Sequence, residues 1–129
     1  MLPRYAELIA YCKSLGVKNI MVDTDGNCEK MIPLFLEAGV TSLQPFEVQA
    51  GMDVVQTREK YGDRLSIMGG LDKRVLTKGH NAIKKEVDRV LPFFIDSGKY
   101  IPCLDHSVPN DVEYDDFLYY LECIRAYER

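Results

Sequence analysis

Apolar and polar positions along this chain switch between a helical period and short continuous runs, and the switches lay out its elements. Leu8, Ile9, Cys12 and Leu15 recur at helical spacing behind Pro3, and Gly16 follows, which predicts a helix over 3–15. A strand is predicted over 19–22. Met31, Leu34, Phe35 and Ala38 predict a second helix over about 28–38, with Pro33 in its first turns and Gly39 at its end. The pattern then predicts a strand over 41–43, a helix over 53–61 stopped by Gly62, and a strand over 65–68. A long helix over 81–97 ending at Gly98, a strand over 100–104 and a last helix over 114–127 complete it. Asp115 and Asp116 fall in the first turn of that last helix, where acids suit the dipole. One helix followed by four strand-helix units predicts a single α/β domain over 1–129, built on a parallel sheet with right-handed crossovers. Three apolar residues in a row, Ile20, Met21 and Val22, predict a first strand covered on both faces.

Polar residues and glycines collect after the strands. Asp23 and Asp25 follow the first, Gln44 and Glu47 the second, Gly69, Gly70 and Asp72 the third, Asp105 and His106 the fourth. In parallel folds this carboxyl edge is where ligands bind. The helix-to-strand turns carry little beyond cap glycines. Asp23 and Asp25 stand two apart, so on an extended segment they point to one side and can converge. The plainer reading has them cap the helix near Cys28. His106 is either a site residue or a satisfied polar residue. Glu47 is placed to face the mouth. Gly69 and Gly70 either let a ligand approach the backbone or form a turn. His80, in a polar helix start, reads as a solvent residue, and Tyr119, Tyr120 and Tyr127 as packing residues.

Composition narrows the classes. The net charge of −4 gives no basic patch for nucleic acid, and no apolar run approaches a membrane span. The first residues lack a signal pattern, so a cytoplasmic location is expected. None of Cys12, Cys28, Cys103 and Cys123 sits in a CxxC pair, and the simplest reading is reduced, buried thiols.

Five ordered segments carry a family resemblance: Asp23-Thr24-Asp25-Gly26-Asn27, Leu36-Glu37-Ala38-Gly39, Gln44-Pro45-Phe46-Glu47, Ile67-Met68-Gly69-Gly70-Leu71-Asp72-Lys73 and Tyr100-Ile101-Pro102-Cys103-Leu104-Asp105-His106. Over about 5–127 the chain resembles the C-terminal half of the uroporphyrinogen decarboxylase family, which also contains corrinoid-linked methyltransferases. The resemblance implies half of a (β/α)8 barrel, with the N-terminal strands absent. It implies porphyrinogen decarboxylation without a cofactor, or methyl transfer with a divalent metal and a corrinoid partner protein. His106 matches the decarboxylases' Gly-His-Gly histidine, here flanked by Asp105 and Ser107. The decarboxylases' essential arginines and substrate-orienting aspartate belong to the missing half. In the methyltransferase branch, Asp23 and Asp25 stand where a zinc site has His-x-Cys, with His106 near the later cysteine. Such a set suits a harder ion or a weaker zinc site. The resemblance thus points to His106 and Asp23 as catalytic candidates, to Asp25, Glu47, Gly69 and Gly70 as substrate contacts, and to Asp23, Asp25 and His106 as metal ligands.

Two other classes compete. Asp23-Thr24-Asp25-Gly26 also resembles the first motif of haloacid dehalogenase phosphatases, with Asp23 as nucleophile, Asp25 as general acid and magnesium on the phosphate. Asn27 departs from that motif, and Asp115 and Asp116 sit in a helix start. The last class is a non-catalytic half barrel, whose open edges predict a homodimer or a separate chain that supplies the missing half.

Overall fold

The computed structural model describes residues 1–127. Four parallel strands, β1 (Met21–Asp23), β2 (Ser42–Gln44), β3 (Ser66–Met68) and β4 (Tyr100–Ile101), pair in chain order. Five helices accompany them: α1 (Leu2–Ser14), α2 (Ile32–Ala38), α3 (Val54–Tyr61), α4 (His80–Phe94) and α5 (Tyr114–Arg125). Right-handed crossovers between strands taken strictly in order keep every connecting helix on one face of the sheet. That is the arrangement of a barrel wall; a doubly wound sheet needs a reversal of strand order. The fold is α/β and consistent with part of a TIM-type barrel.

The predicted helices form close to their signals. Pro33 lies in the first turn of α2, where a missing N–H costs no helical bond. A tighter 3-10 turn, Glu29–Met31, replaces the expected first part of that helix. Gly39, at φ 96°, closes it. Asp53 caps α3 by accepting the Gln56 N–H at 2.9 Å. α4 stops at Phe94, two residues after Pro92 and short of the expected Ser97. β4 stops sooner still, because Pro102 has no N–H for the ladder. The pairing resumes only as a bridge between Leu71 and Leu104.

Burial corrects the expectation for β1. The register sets Val22, Leu43, Ile67 and Tyr100 in one row. Leu43 and Ile67 are buried against the helices together with Phe46, Leu71, Ile83, Val87 and Val90. The other face is open: Met21 is 51% exposed and Ile101 57%. Helices cover one side only, so β1 is half-covered. The end helices are similarly bare. In α1 only Ile9 is buried, while Leu8 and, just past the helix end, Leu15 are exposed, so the expected apolar face is only partly used. α5 buries only Tyr120. Among the described residues no helix is long and apolar enough to cross a membrane. All four cysteines are free; Cys28 is buried and the other three half-buried. Burial pushes the Cys28 and Cys103 thiols up, which keeps them protonated.

Candidate functional site

The loops after the four strands meet at the carboxyl edge. Asp23 pairs in register with Gln44, whose Nε2 donates to Asp23 Oδ2 at 2.9 Å. Three residues on, Gly26 donates its N–H to Glu47 Oε2 at 2.9 Å. Glu47 therefore binds the β1 loop rather than standing free in the mouth. Asn27 ties the same loops again, its Nδ2 donating to the Ala50 carbonyl at 3.1 Å. Asn27 Oδ1 also accepts the Glu29 N–H at 3.1 Å, just ahead of a 3-10 turn whose N-cap, Cys28, makes no side-chain cap.

Asp25 is exposed, and its Oδ1 lies 3.8 Å from His106 Nε2. β1 and β4 are the two ends of the sheet, about 14 Å apart if it lay flat. That their loops touch measures how far the wall has curled. His106 Nδ1 accepts the Ser107 N–H at 3.0 Å, so the neutral ring carries its proton on Nε2, the nitrogen turned to Asp25. The ring also borders a groove of ≈ 540 Å³ lined by Cys103, Leu104, Phe117, Tyr120 and Leu121. A separate hollow of ≈ 400 Å³ between Glu29 and α3 holds none of the strand-end candidates.

Gly69 and Gly70 face protein. A Cβ on Gly69 would collide with the Pro45 carbonyl oxygen, and one on Gly70 with the Val54 side chain. Gly70 donates its N–H to that same Pro45 carbonyl at 2.9 Å, and Tyr100 donates its hydroxyl to the Gly69 carbonyl at 2.8 Å. Burial pushes the Tyr100 hydroxyl up and keeps it a donor.

One central residue had no role assigned from sequence. Asp105 is fully buried, its Oδ2 accepting the Val48 N–H at 2.8 Å and its Oδ1 the Lys73 N–H at 3.0 Å. The available signal was its place, directly after Tyr100-Ile101-Pro102-Cys103-Leu104, where a buried carboxylate must find donors. Asp72 makes a local clamp. Burial works to raise its carboxyl, but the Arg74 guanidinium at 2.8 Å and the Arg74 N–H at 3.0 Å outweigh this and hold it below its ordinary 3.8. A lowered folded value means stability that is complete above about pH 3.8 and is lost as the pH falls through the lowered value. Arg74→Met should therefore move the acid-unfolding midpoint to higher pH. An unchanged midpoint would show that the clamp does not couple to folding.

The metal set does not assemble. Asp23 is turned to Gln44, and only Asp25 and His106 approach one another. Among the described residues no group of three or more His, Cys, Asp or Glu is arranged to hold an ion. The phosphatase pattern lacks its second half as well: Asp115 and Asp116 lie in the first turn of α5, with Asp116 Oδ1 3.5 Å from His80 Nε2. His80 is not a bare solvent residue, since its ring also stacks on Tyr119 at 3.9 Å.

A family model described as uroporphyrinogen decarboxylase matches residues 1–127. The chain belongs to the uroporphyrinogen decarboxylase family. It is also similar to a protein named uroporphyrinogen decarboxylase from Vesicomyosocius okutanii subsp. Calyptogena okutanii (strain HA), at 27% identity over 78 residues. That match covers 60% of this chain and 23% of the relative. The one-sided cover of the sheet is consistent with part of a TIM-type barrel.

Proposed function

We propose that this chain forms the C-terminal wall of a decarboxylase barrel acting on a carboxylated tetrapyrrole, with His106 and Asp25 handling the proton. The observation that supports it is the Asp25–His106 approach at the barrel mouth, between loops from the two ends of the sheet. Decarboxylation breaks the bond between a side-chain methylene and its carboxylate. Carbon dioxide leaves, the bonding electron pair stays on the methylene carbon, and a proton replaces the lost group. An electron-rich pyrrole takes up that electron pair when a ring carbon is first protonated. Histidine is the side chain suited to giving and regaining a proton near neutral pH, and a carboxylate beside it orients the ring. No cofactor enters this scheme.

The substrate's own carboxylates need cations that this half supplies sparingly. In the strand-end loops Arg74 is committed to Asp72, which leaves Lys73 and Lys78 after β3. Most of the anion recognition is therefore assigned to the other half of the barrel. Helix count bears on what that half is. Here α1 precedes β1 and α5 follows β4, so five helices flank four strands. A second copy would bring ten helices to eight strands, with α5 of one copy and α1 of the other competing for each seam. A half with four strands and three helices closes the wall without conflict.

Mixing the chain with the N-terminal half of a uroporphyrinogen decarboxylase should release carbon dioxide from a porphyrinogen with acetate side chains, and the chain alone should not. Methyl transfer to a thiol without carbon dioxide would overturn the assignment. Native mass measurement should find no discrete two-copy barrel; a stable dimer with β4 paired to β1 would reverse the reading of the helix count.

A further inference from the structure

The strand-end contacts close on themselves. Asp105, after β4, holds the Val48 N–H, after β2, at 2.8 Å. Glu47, the neighbour of Val48, holds the Gly26 N–H, after β1, at 2.9 Å. Asp25, the neighbour of Gly26, stands 3.8 Å from His106, the neighbour of Asp105. The circuit runs from β4 to β2 to β1 and back to β4. A side arm reaches the loop after β3, where Lys73 gives its N–H to Asp105 at 3.0 Å. Among its charged members only Asp105 is fully buried; Asp25 and His106 are exposed and Glu47 is half-buried. An exposed pair at that separation does not hold itself in place. A buried carboxylate with two backbone N–H donors does, because any movement strands a charge without solvent.

We propose that Asp105 is the positioning residue for the Asp25–His106 pair, acting through Val48, Glu47 and Gly26. Glu47 is then the second link in the circuit and not a substrate contact. The inference rests on Asp25 and His106 being the working pair, but its geometry is tested without turnover.

The test is amide hydrogen exchange at Gly26, Val48 and Lys73, read with the NMR contact between the His106 ring and the Asp25 side chain. Asp105→Asn keeps the shape, leaves one acceptor oxygen and points an NH2 at the other amide. Exchange at Val48 or Lys73 should rise about tenfold or more. Gly26, which Asp105 does not touch, should follow, and the His106–Asp25 contact should weaken. Glu47→Ala should release Gly26 and that contact while Val48 and Lys73 stay protected. Glu47→Gln, which keeps an oxygen acceptor, should restore both. If Asp105→Asn does not fold, the two Glu47 variants still decide the β2-to-β1 link. Faster exchange at Val48 and Lys73 with Gly26 and the His106–Asp25 contact unchanged would make Asp105 a local brace and sink the proposal. The expected pattern of exchange in the variants, with no decarboxylation by the completed barrel, would instead remove the functional reading and leave the circuit standing.

Discussion

Gly69→Ala is expected to cost more than about 3 kcal/mol of folding stability, from backbone strain and a backbone collision acting together. Gly69 sits at φ 104°, where side chains are rarely tolerated. An added Cβ would run into the Pro45 carbonyl oxygen and lie 2.8 Å from its carbon. That carbonyl cannot swing away freely, because it accepts the Gly70 N–H at 2.9 Å. Relief requires the loops after β2 and β3 to part, which disturbs Phe46, a fully buried core residue in the same loop. Gly16→Ala is the matched control. Its φ is 88°, and nothing lies within 4 Å of the new methyl group, so only backbone strain of about 1 kcal/mol applies. Urea midpoints of the two variants separate the effects. Equal losses would mean that the Pro45 contact is soft and that Gly69 has room to approach a ligand.

That glycine shows where sequence reading reaches its end. The order of elements was legible because each helix signals locally: Pro33 in a first turn, Gly39 and Gly62 as stops, Asp115 and Asp116 in the first turn of the last helix. The strands were legible as apolar runs, but the run 20–22 cannot say whether one face or two are covered. That depends on whether later crossovers return to the same side. The end of β4 was legible in Pro102, a residue that cannot donate, yet the apolar run through Leu104 outweighed it. The site was legible as a set of strand ends. Which members meet was not, because contacts between residues far apart in the chain follow from the curl of the sheet. Asp25 and His106 touch for that reason, while Asp23 turns to its register partner Gln44. Gly69 and Gly70 read equally well as a ligand approach or a turn, and only the position of Pro45 and Val54 shows what comes close. Asp105 stood in plain view beside His106, but its role is set by two backbone N–H groups, from Val48 and Lys73, that no motif records.

His106→Gln, in a completed barrel, should lower kcat by about 10²- to 10⁴-fold, the span of a lost general acid–base group. Glutamine carries its amide to the reach of Nε2 and cannot exchange a proton, and the exposed Ser107 N–H that Nδ1 accepted turns to water, so the loop need not move. Asp25→Asn should cost about tenfold or less, since its side chain is 73% exposed and 3.8 Å from the ring, where charge effects are weak. KM should change little in either variant if the substrate's carboxylates are held by the other half of the barrel. The two losses need not multiply: if Asp25 acts only by orienting the ring, the double variant should be no slower than His106→Gln alone. The reverse ranking, with Asp25→Asn inactive and His106→Gln tolerated, would make Asp25 the proton donor and His106 its support. Equal and severe losses would describe a pair that works as one unit, with the proton shared across the gap between β1 and β4. Each pattern names a different atom as the one that faces substrate, so the three rate constants decide the chemistry even before a ligand is seen.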